Sequence, residues 1–398
     1  MKDKPYFIII AIILITFIAI FIYNTSFSPL IPPKNSFSKY NLIKIIKPPI
    51  ANIKGAFGSS LCMEGNQIII GESGNARVHI YDYNGNIIKT ITTSSDTLSS
   101  GFGSSVATNG EIIVVGEPRA DVDGVKSAGL IHIYDMKGEQ HRTIKSPSPY
   151  EGAGFGFSLA IWTGGIVVSE PGPLNEDENL HTRVYLLSFD GTYLGSIERP
   201  QLRRGSFGWA VDVYDEVLAV GEPYAVIESP VEGYTHGLVH LYRITSRMNL
   251  TLITSLRSST GRGFGSFGHS VSVSKDLVAV GEIRGDVNNT QMAGIVHLYT
   301  RNGDLINTLL PSNLRVYGYF GLPVKITDTM VLVGQRNSGF VYLYDHEGHL
   351  LVTISQDGVF ESNFGEVIAL SGDIIAIGAP ASIIDGKKAG EVYLFKLS

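Results

Sequence analysis

The sequence predicts an all-β fold: a seven-bladed β-propeller of four-stranded antiparallel blades, closed by its N-terminal strand and preceded by one transmembrane helix. Three observations lead there. A Phe-Gly pair recurs at Phe57, Phe102, Phe155, Phe207, Phe267, Phe320 and Phe364, at intervals of 45, 53, 52, 60, 53 and 44 residues. The chain holds 45 glycines and 17 prolines without a collagen period, which is the punctuation of many short strands and turns. A charge-free apolar run, FIIIAIILITFIAIFIY, fills Phe7 to Tyr23.

Taken from the N-terminus, residues 1–6 read as a short cytoplasmic tail and 7–23 as an uncleaved signal anchor. The run is at the lower limit for crossing a bilayer at 1.5 Å per residue, and no Ala-x-Ala-like cleavage pattern follows it. Lys2 and Lys4 lie closer to it than Lys34, Lys39 and Lys44, which favours a cytosolic N-terminus. Residues 24–39 are Pro-rich and read as a linker, and 40–398 as the propeller. The expectation is a single-pass membrane protein with its propeller at the cell surface or in a secretory lumen.

Each repeat is built alike. The Phe-Gly pair opens a short apolar strand. A β-branched run ending in Gly-Glu follows, as in IIVVGEP at Ile112. An alternating strand such as LIHIYD at Leu130 is third, and a turn such as Asn84-Gly85 or Lys137-Gly138 leads into the fourth. The last repeat stops at Glu391-Val392-Tyr393-Leu394-Phe395, a third strand with no fourth, while Asn41 to Ile46 stands before the first Phe-Gly. The N-terminal strand is therefore expected to complete the C-terminal blade and remove the open edge.

These repeats resemble the FG-GAP family, whose best-known members are the propellers of integrin alpha subunits. Phe364-Gly365, Ile377-Gly378-Ala379-Pro380, Asp385-Gly386 and Gly390-Glu391-Val392-Tyr393 carry the likeness, which extends over nearly all of residues 40–398. It implies the propeller fold and is weak on function. The calcium loops of integrin repeats lie between the first two strands, and here those connections are short turns such as Thr108-Asn109-Gly110, without room for six to eight oxygen ligands. No cofactor is expected. Asp121, Asp123 and Asp286 are the only faint metal candidates, and they lie in other loops, where ordinary Asx turns are the simpler reading.

Composition narrows the function classes. A net charge of -6 with no Lys/Arg run excludes a nucleic-acid surface. Cys62 is the only cysteine, so no intrachain disulfide forms, and its strand position reads as core. Gly-x-Ser-x-Gly, His-Glu-x-x-His and phosphate-loop motifs are missing, and the expectation is a protein that is not an enzyme. Arg284-Gly285-Asp286 is read as an accidental tripeptide, and Asn24, Asn249 and Asn288 begin glycosylation sequons.

An up-and-down blade gathers its second-to-third loops and the blade-to-blade linkers on one face, leaving tight turns on the other. Loops on a rigid frame are where binding is expected. Five carboxylates share one repeat position on that face: Glu72, Glu117, Glu170, Glu222 and Glu282. Gln335 and Ala379 stand there in the remaining blades. A ring of acids would attract a cation or a basic partner; the bland reading, which we prefer, has each accepting backbone N–H groups of its own loop. The histidines His79, His132, His240 and His297 occupy one third-strand position where Tyr185, Tyr342 and Tyr393 stand in other blades, and they read as aromatic packing between neighbouring blades.

The functional expectation is an adhesion or binding module that takes a protein ligand on the loop-rich face, with Tyr224 and Tyr234 beside the five glutamates as binding candidates. A lectin is the alternative, for which Tyr317 and Tyr319 are further aromatic platforms. An enzyme with a central-channel site ranks third.

Overall fold

The computed structural model describes residues 40–93, 99–173, 181–199, 206–226, 237–245, 249–258, 265–355 and 361–397. The described residues form seven four-stranded antiparallel sheets, in six of which the strands follow sequence order, and one two-stranded ribbon, Ile383–Ile384 with Lys387–Lys388. Blade 2 is representative: Ser105–Thr108, Ile112–Glu117, Leu130–Asp135 and Gln140–Lys145. The seventh sheet is Val367–Ser371, Ile374–Ala379, Glu391–Leu397 and, on its outer edge, Tyr40–Ile46. Tyr40 pairs with Leu397 and Ile46 with Val392, so the first strand of the domain closes the last blade, as the sequence leads one to expect. Phe7–Tyr23 and the 24–39 linker lie outside the described residues. Among the described residues no helix is long and apolar enough to cross a membrane.

Burial grades outward from the axis. Second strands such as Val217–Glu222 are buried along their whole length, and third strands nearly so. Gln140–Lys145, a fourth strand, is exposed at every residue but one. The sequences follow that gradient, since β-branched runs can sit where both faces are covered and polar side chains where one face meets water. Among the described residues seven apolar clusters are seams between consecutive blades, and a small eighth, Val287, Ala293 and Ile295, lies within blade 5. One joins Ile69, Val78 and Ile80 of blade 1 to Phe102, Val115 and Tyr134 of blade 2; another joins Ala376 and Val392 of blade 7 to Phe57 and Ile68 of blade 1. All seven motif phenylalanines are fully buried in these seams. Each contributes roughly 2–3 kcal/mol by burial.

The glycines of the two motifs explain each other. The glycine after each Phe has positive φ, from 80° at Gly103 to 97° at Gly321, where a side chain would be strained. In six of the seven seams its carbonyl then lies against the second-strand glycine of the preceding blade: a Cβ on Gly116 would fall 2.1 Å from the Gly156 oxygen, and one on Gly281 2.2 Å from that of Gly321; blade 3 has Ser169 at that position, and a Cβ on Gly208 would lie 3.1 Å from the Ser169 Cβ. Ser60, Ser105 and Ser270 donate to the oxygens of Gly103, Gly156 and Gly321 across the same seams. Backbone meets backbone there without room for a methyl group.

First strands line the central channel. At the short-turn end it opens into a cavity of about 950 Å³ walled by all seven, with Leu61, Val106, Ile161, Val211, Val273, Val324 and Leu370 among its apolar lining. The inner edges of these strands lack a ladder partner, and Asp212 compensates by accepting from Val273 N at 2.9 Å and Ser272 Oγ at 2.8 Å, with Lys325 Nζ at 3.6 Å. Fourth strands start at this same end, so the chain enters the domain there, at Tyr40. Removing residues 1–46 would bare the edge of Glu391–Leu397. We expect such a truncation to elute as oligomers or aggregate on size-exclusion chromatography, while the full chain does not.

Candidate functional site

The five glutamates end the second strands, and the register of the sheet decides where their carboxylates go. In blade 1, Ile70 pairs with His79 and Glu72 with Arg77, so Glu72 and His79 are diagonal neighbours on one face. His79 Nε2 lies 2.8 Å from Glu72 Oε2, His132 Nε2 2.7 Å from Glu117, His240 Nε2 3.0 Å from Glu222 and His297 Nε2 2.7 Å from Glu282. A carboxylate only accepts, so Nε2 carries the proton. On the far side of the ring, Nδ1 lies 2.9 Å from Thr90 Oγ1 in blade 1, 3.0 Å from Thr143 in blade 2 and 2.8 Å from Ser255 in blade 4.

Blades without the histidine use tyrosine. Tyr185 donates to Glu170 at 3.2 Å and Tyr342 to Gln335 at 2.8 Å. In blade 7, where Ala379 holds the glutamate position, the acid has moved to the paired strand: Glu391 faces Ala379, and Tyr393 donates to it at 2.6 Å. The other carboxylate oxygen commonly reaches the residue just past the fourth strand of the preceding blade. Thr93 donates to Glu117, Ser146 to Glu170, and Arg199 pairs with Glu222; in blade 5 Ser258, two residues past the strand, donates to Oε2 of Glu282, the oxygen that His297 also uses.

Two expectations are corrected. Among the described residues the recurrent partner of each glutamate is a third-strand side chain, where the backbone of its own loop was expected, because strand register brings the two side chains together on a shared face. Among the described residues the histidine rings meet rings of their own blade and not of a neighbouring one; they lie tilted or edge-on to that blade's phenylalanine, with centroids 5.5 Å apart for Phe57–His79 and 5.3 Å for Phe102–His132. Glu72, Glu117, Glu170, Glu222 and Glu282 are at most 2% exposed. A hydroxyl-imidazole-carboxylate series resembles a catalytic relay in outline, but here it is sealed in the blade and repeated, as a packing device would be.

Glu170 differs from the other four. It has no imidazole beside it, and burial pushes its carboxyl up to about 7 against the hydrogen bonds of Ser146 and Tyr185.

The weak metal candidates serve turns. Asp121 Oδ1 accepts the N–H of Ser127 at 2.9 Å, and Asp286 Oδ1 that of Met292 at 2.8 Å, at the same spacing in both blades. Asp123 pairs with Lys145 at 2.8 Å. Among the described residues no group of three or more His, Cys, Asp or Glu is placed to hold a metal ion. Cys62 lines the channel, where burial pushes its thiol up. Tyr234 lies outside the described residues.

What the motif search passed over is the residue directly after each Phe-Gly. Ser59, Ser104, Phe157, Trp209, His269, Leu322 and Glu366 are all half-buried at the loop-rich end of the innermost strands, one per blade. They vary in a motif whose other letters repeat, which is the signal that could have found them. Trp209 touches residues of three blades: its centroid is 4.9 Å from Phe157, 5.4 Å from His269 and 5.4 Å from Tyr224. Only side chains near the axis, where blades converge, can do this. Arg336 pairs with Glu366 at 3.3 Å beside them. Burial, then the guanidiniums of Arg284 and Arg336, push the His269 imidazole down to about 4. The mouth of the channel on the loop-rich face thus carries an aromatic and cationic arc over blades 3 to 7, against Ser59, Ser73 and Ser104 on the remainder.

Comparison with known proteins supports the fold. Residues 353–395 match the FG-GAP repeat family. No curated protein matches the chain. A streptogramin B lyase structure superposes with a TM-score of 0.62 at 13% identity, covering 91% of this chain and 99% of that one. A selenomethionine form of virginiamycin B lyase from Staphylococcus aureus gives 0.62 at 10% identity, covering 90% and 100%. At that identity the likeness is one of architecture.

Proposed function

We propose that this propeller is a membrane-tethered, extracytoplasmic recognition module, not an enzyme, that binds a protein ligand on its loop-rich face around the axial arc of Phe157, Trp209, Tyr224 and His269. The observation that carries the reading is the arc itself. Half-buried aromatic side chains from consecutive blades converge where the repeat has no structural need of them, and aromatic anchors at the centre of a polar rim are what protein interfaces use. The sealed glutamate-histidine series supports a non-catalytic reading, since its acid/base groups are out of reach of solvent.

Immobilised full-length protein, exposed to surface and secreted proteins of its host and to a glycan array, tests this. A protein ligand should bind saturably. Tyr224→Ser and Trp209→Ala should each weaken it at least tenfold, by roughly the 2 kcal/mol or more of an interface hot spot, with little change in the melting curve. Glycan binding with no protein captured would overturn the reading in favour of a lectin, for which Tyr317, 48% exposed and 6.4 Å from Tyr319, supplies a platform.

A further inference from the structure

Arg284 stands apart from the other cations of the axial arc. It follows the Glu282 that ends the second strand of blade 5, and its backbone N–H donates to Gly265 O at 3.0 Å, which fixes the residue at the channel mouth. The side chain is half-buried and, among the described residues, makes no ion pair. By contrast Arg336 is engaged by Glu366, Arg183 by Glu198 and Arg199 by Glu222. Its charge bears on His269 and on Tyr224, both of which pack edge-on against Trp209. Nδ1 of His269 is buried with no hydrogen-bond partner. The tripeptide that begins at Arg284 is folded into its turn, Asp286 being held by Met292 N, so Arg284 acts from the mouth and not as part of an extended motif.

A half-buried guanidinium without a counter-ion is costly unless something anionic comes to it. Its planar fork matches the two oxygens of a carboxylate. A phosphate dianion would call for a second free cation, and the neighbouring Arg336 is already occupied by Glu366. That occupied pair also displays the chemistry the mouth accepts: a carboxylate on an arginine beside aromatic rings. The flat faces of Trp209 and Tyr224 suit an apolar or aromatic group attached to the acid.

We propose that Arg284, with Trp209, Tyr224 and His269, forms a carboxylate-binding pocket at the axial mouth, which takes an acidic side chain or chain terminus of the protein ligand. The inference rests on the recognition reading above, but its test needs no protein ligand. Calorimetric titration of the full-length chain with benzoate, an aromatic carboxylate, should give saturable binding with a Kd on the order of 1 mM, as befits so small a ligand. Benzylamine, of the same shape and opposite charge, should not bind. Arg284→Ala should weaken benzoate at least tenfold and Arg284→Lys less, both with wild-type melting curves, while Arg142→Ala on the outer strand of blade 2 leaves it unchanged. Absence of benzoate binding, equal binding of benzylamine, or an Arg284→Ala variant that binds as wild type would each overturn the pocket. Failure to capture a protein in the earlier experiment would leave this result intact, so the two readings fail separately.

Discussion

Alanine at Gly116 is expected to lower stability by about 3 kcal/mol or more, a single methyl group having the effect of a large core lesion. The new Cβ would lie 2.1 Å from the Gly156 carbonyl of the next blade and 2.1 Å from Ser105 Oγ, which donates to that same carbonyl. Neither neighbour is a flexible side-chain tip free to swing aside; one is backbone and the other is tied to it. Relief requires blades 2 and 3 to move apart, which also opens the seam that buries Phe155, Val114 and Ile131. Gly124→Ala is the control. Unlike Gly116 it has positive φ, but nothing lies within 4 Å of the added carbon, so only the backbone term of about 1 kcal/mol should remain. Urea midpoints of the two variants measure the difference. If Gly116→Ala costs no more than Gly124→Ala, the close approach is not what selects glycine at this position.

The second large effect has the opposite sign. Glu170→Gln is expected to stabilise the protein above neutral pH by roughly 3 kcal/mol, and to do nothing in acid. The Glu170 carboxyl is raised to about 7 in the fold from an ordinary 4.5, so between those values the folded protein holds a proton that the unfolded chain has released. Stability therefore falls as pH rises through that window and stays low above it. Glutamine removes the charge and keeps the geometry. Blade 6 already uses the arrangement, with Tyr342 donating to Gln335 Oε1 and Gln335 Nε2 donating to the Asn313 carbonyl. In blade 3, Tyr185 and Ser146 would fill the same roles. Melting temperatures from pH 4.5 to 8 should diverge progressively with pH, and curves that stay parallel would refute the argument. Glu117→Gln should gain nothing, because His132 already compensates that carboxylate.

How much could be read in advance divides along strand boundaries. The blades, their number and the use of Asn41–Ile46 to close the ring follow from a short-range pattern that recurs, so they were legible. The glutamate-histidine pairing was not, although both letters were noticed. Glu72 and His79 meet only when Ile70 is set opposite His79, and register is a fact about two strands, not one. The same gap put the histidines between blades when their rings face Phe57 and its equivalents within one blade. Trp209 and His269 escaped notice for another reason. A search for what repeats discards what does not, and the residue after Phe-Gly is where this chain departs from its own pattern. Arg284 was seen only as part of a tripeptide, since nothing local marks a guanidinium that, among the described residues, makes no ion pair.

The pairing of Tyr40–Ile46 with Glu391–Leu397 has a consequence for biosynthesis. Six blades can form as they leave the ribosome, each from contiguous sequence. The seventh has no outer strand until the first-made residues of the domain meet the last. Ring closure is thus the most non-local contact in the protein and should be the slowest step of its maturation. Until then the nascent chain carries two unsatisfied strand edges, one at each end of an open ring, and the interval is when it most needs a chaperone.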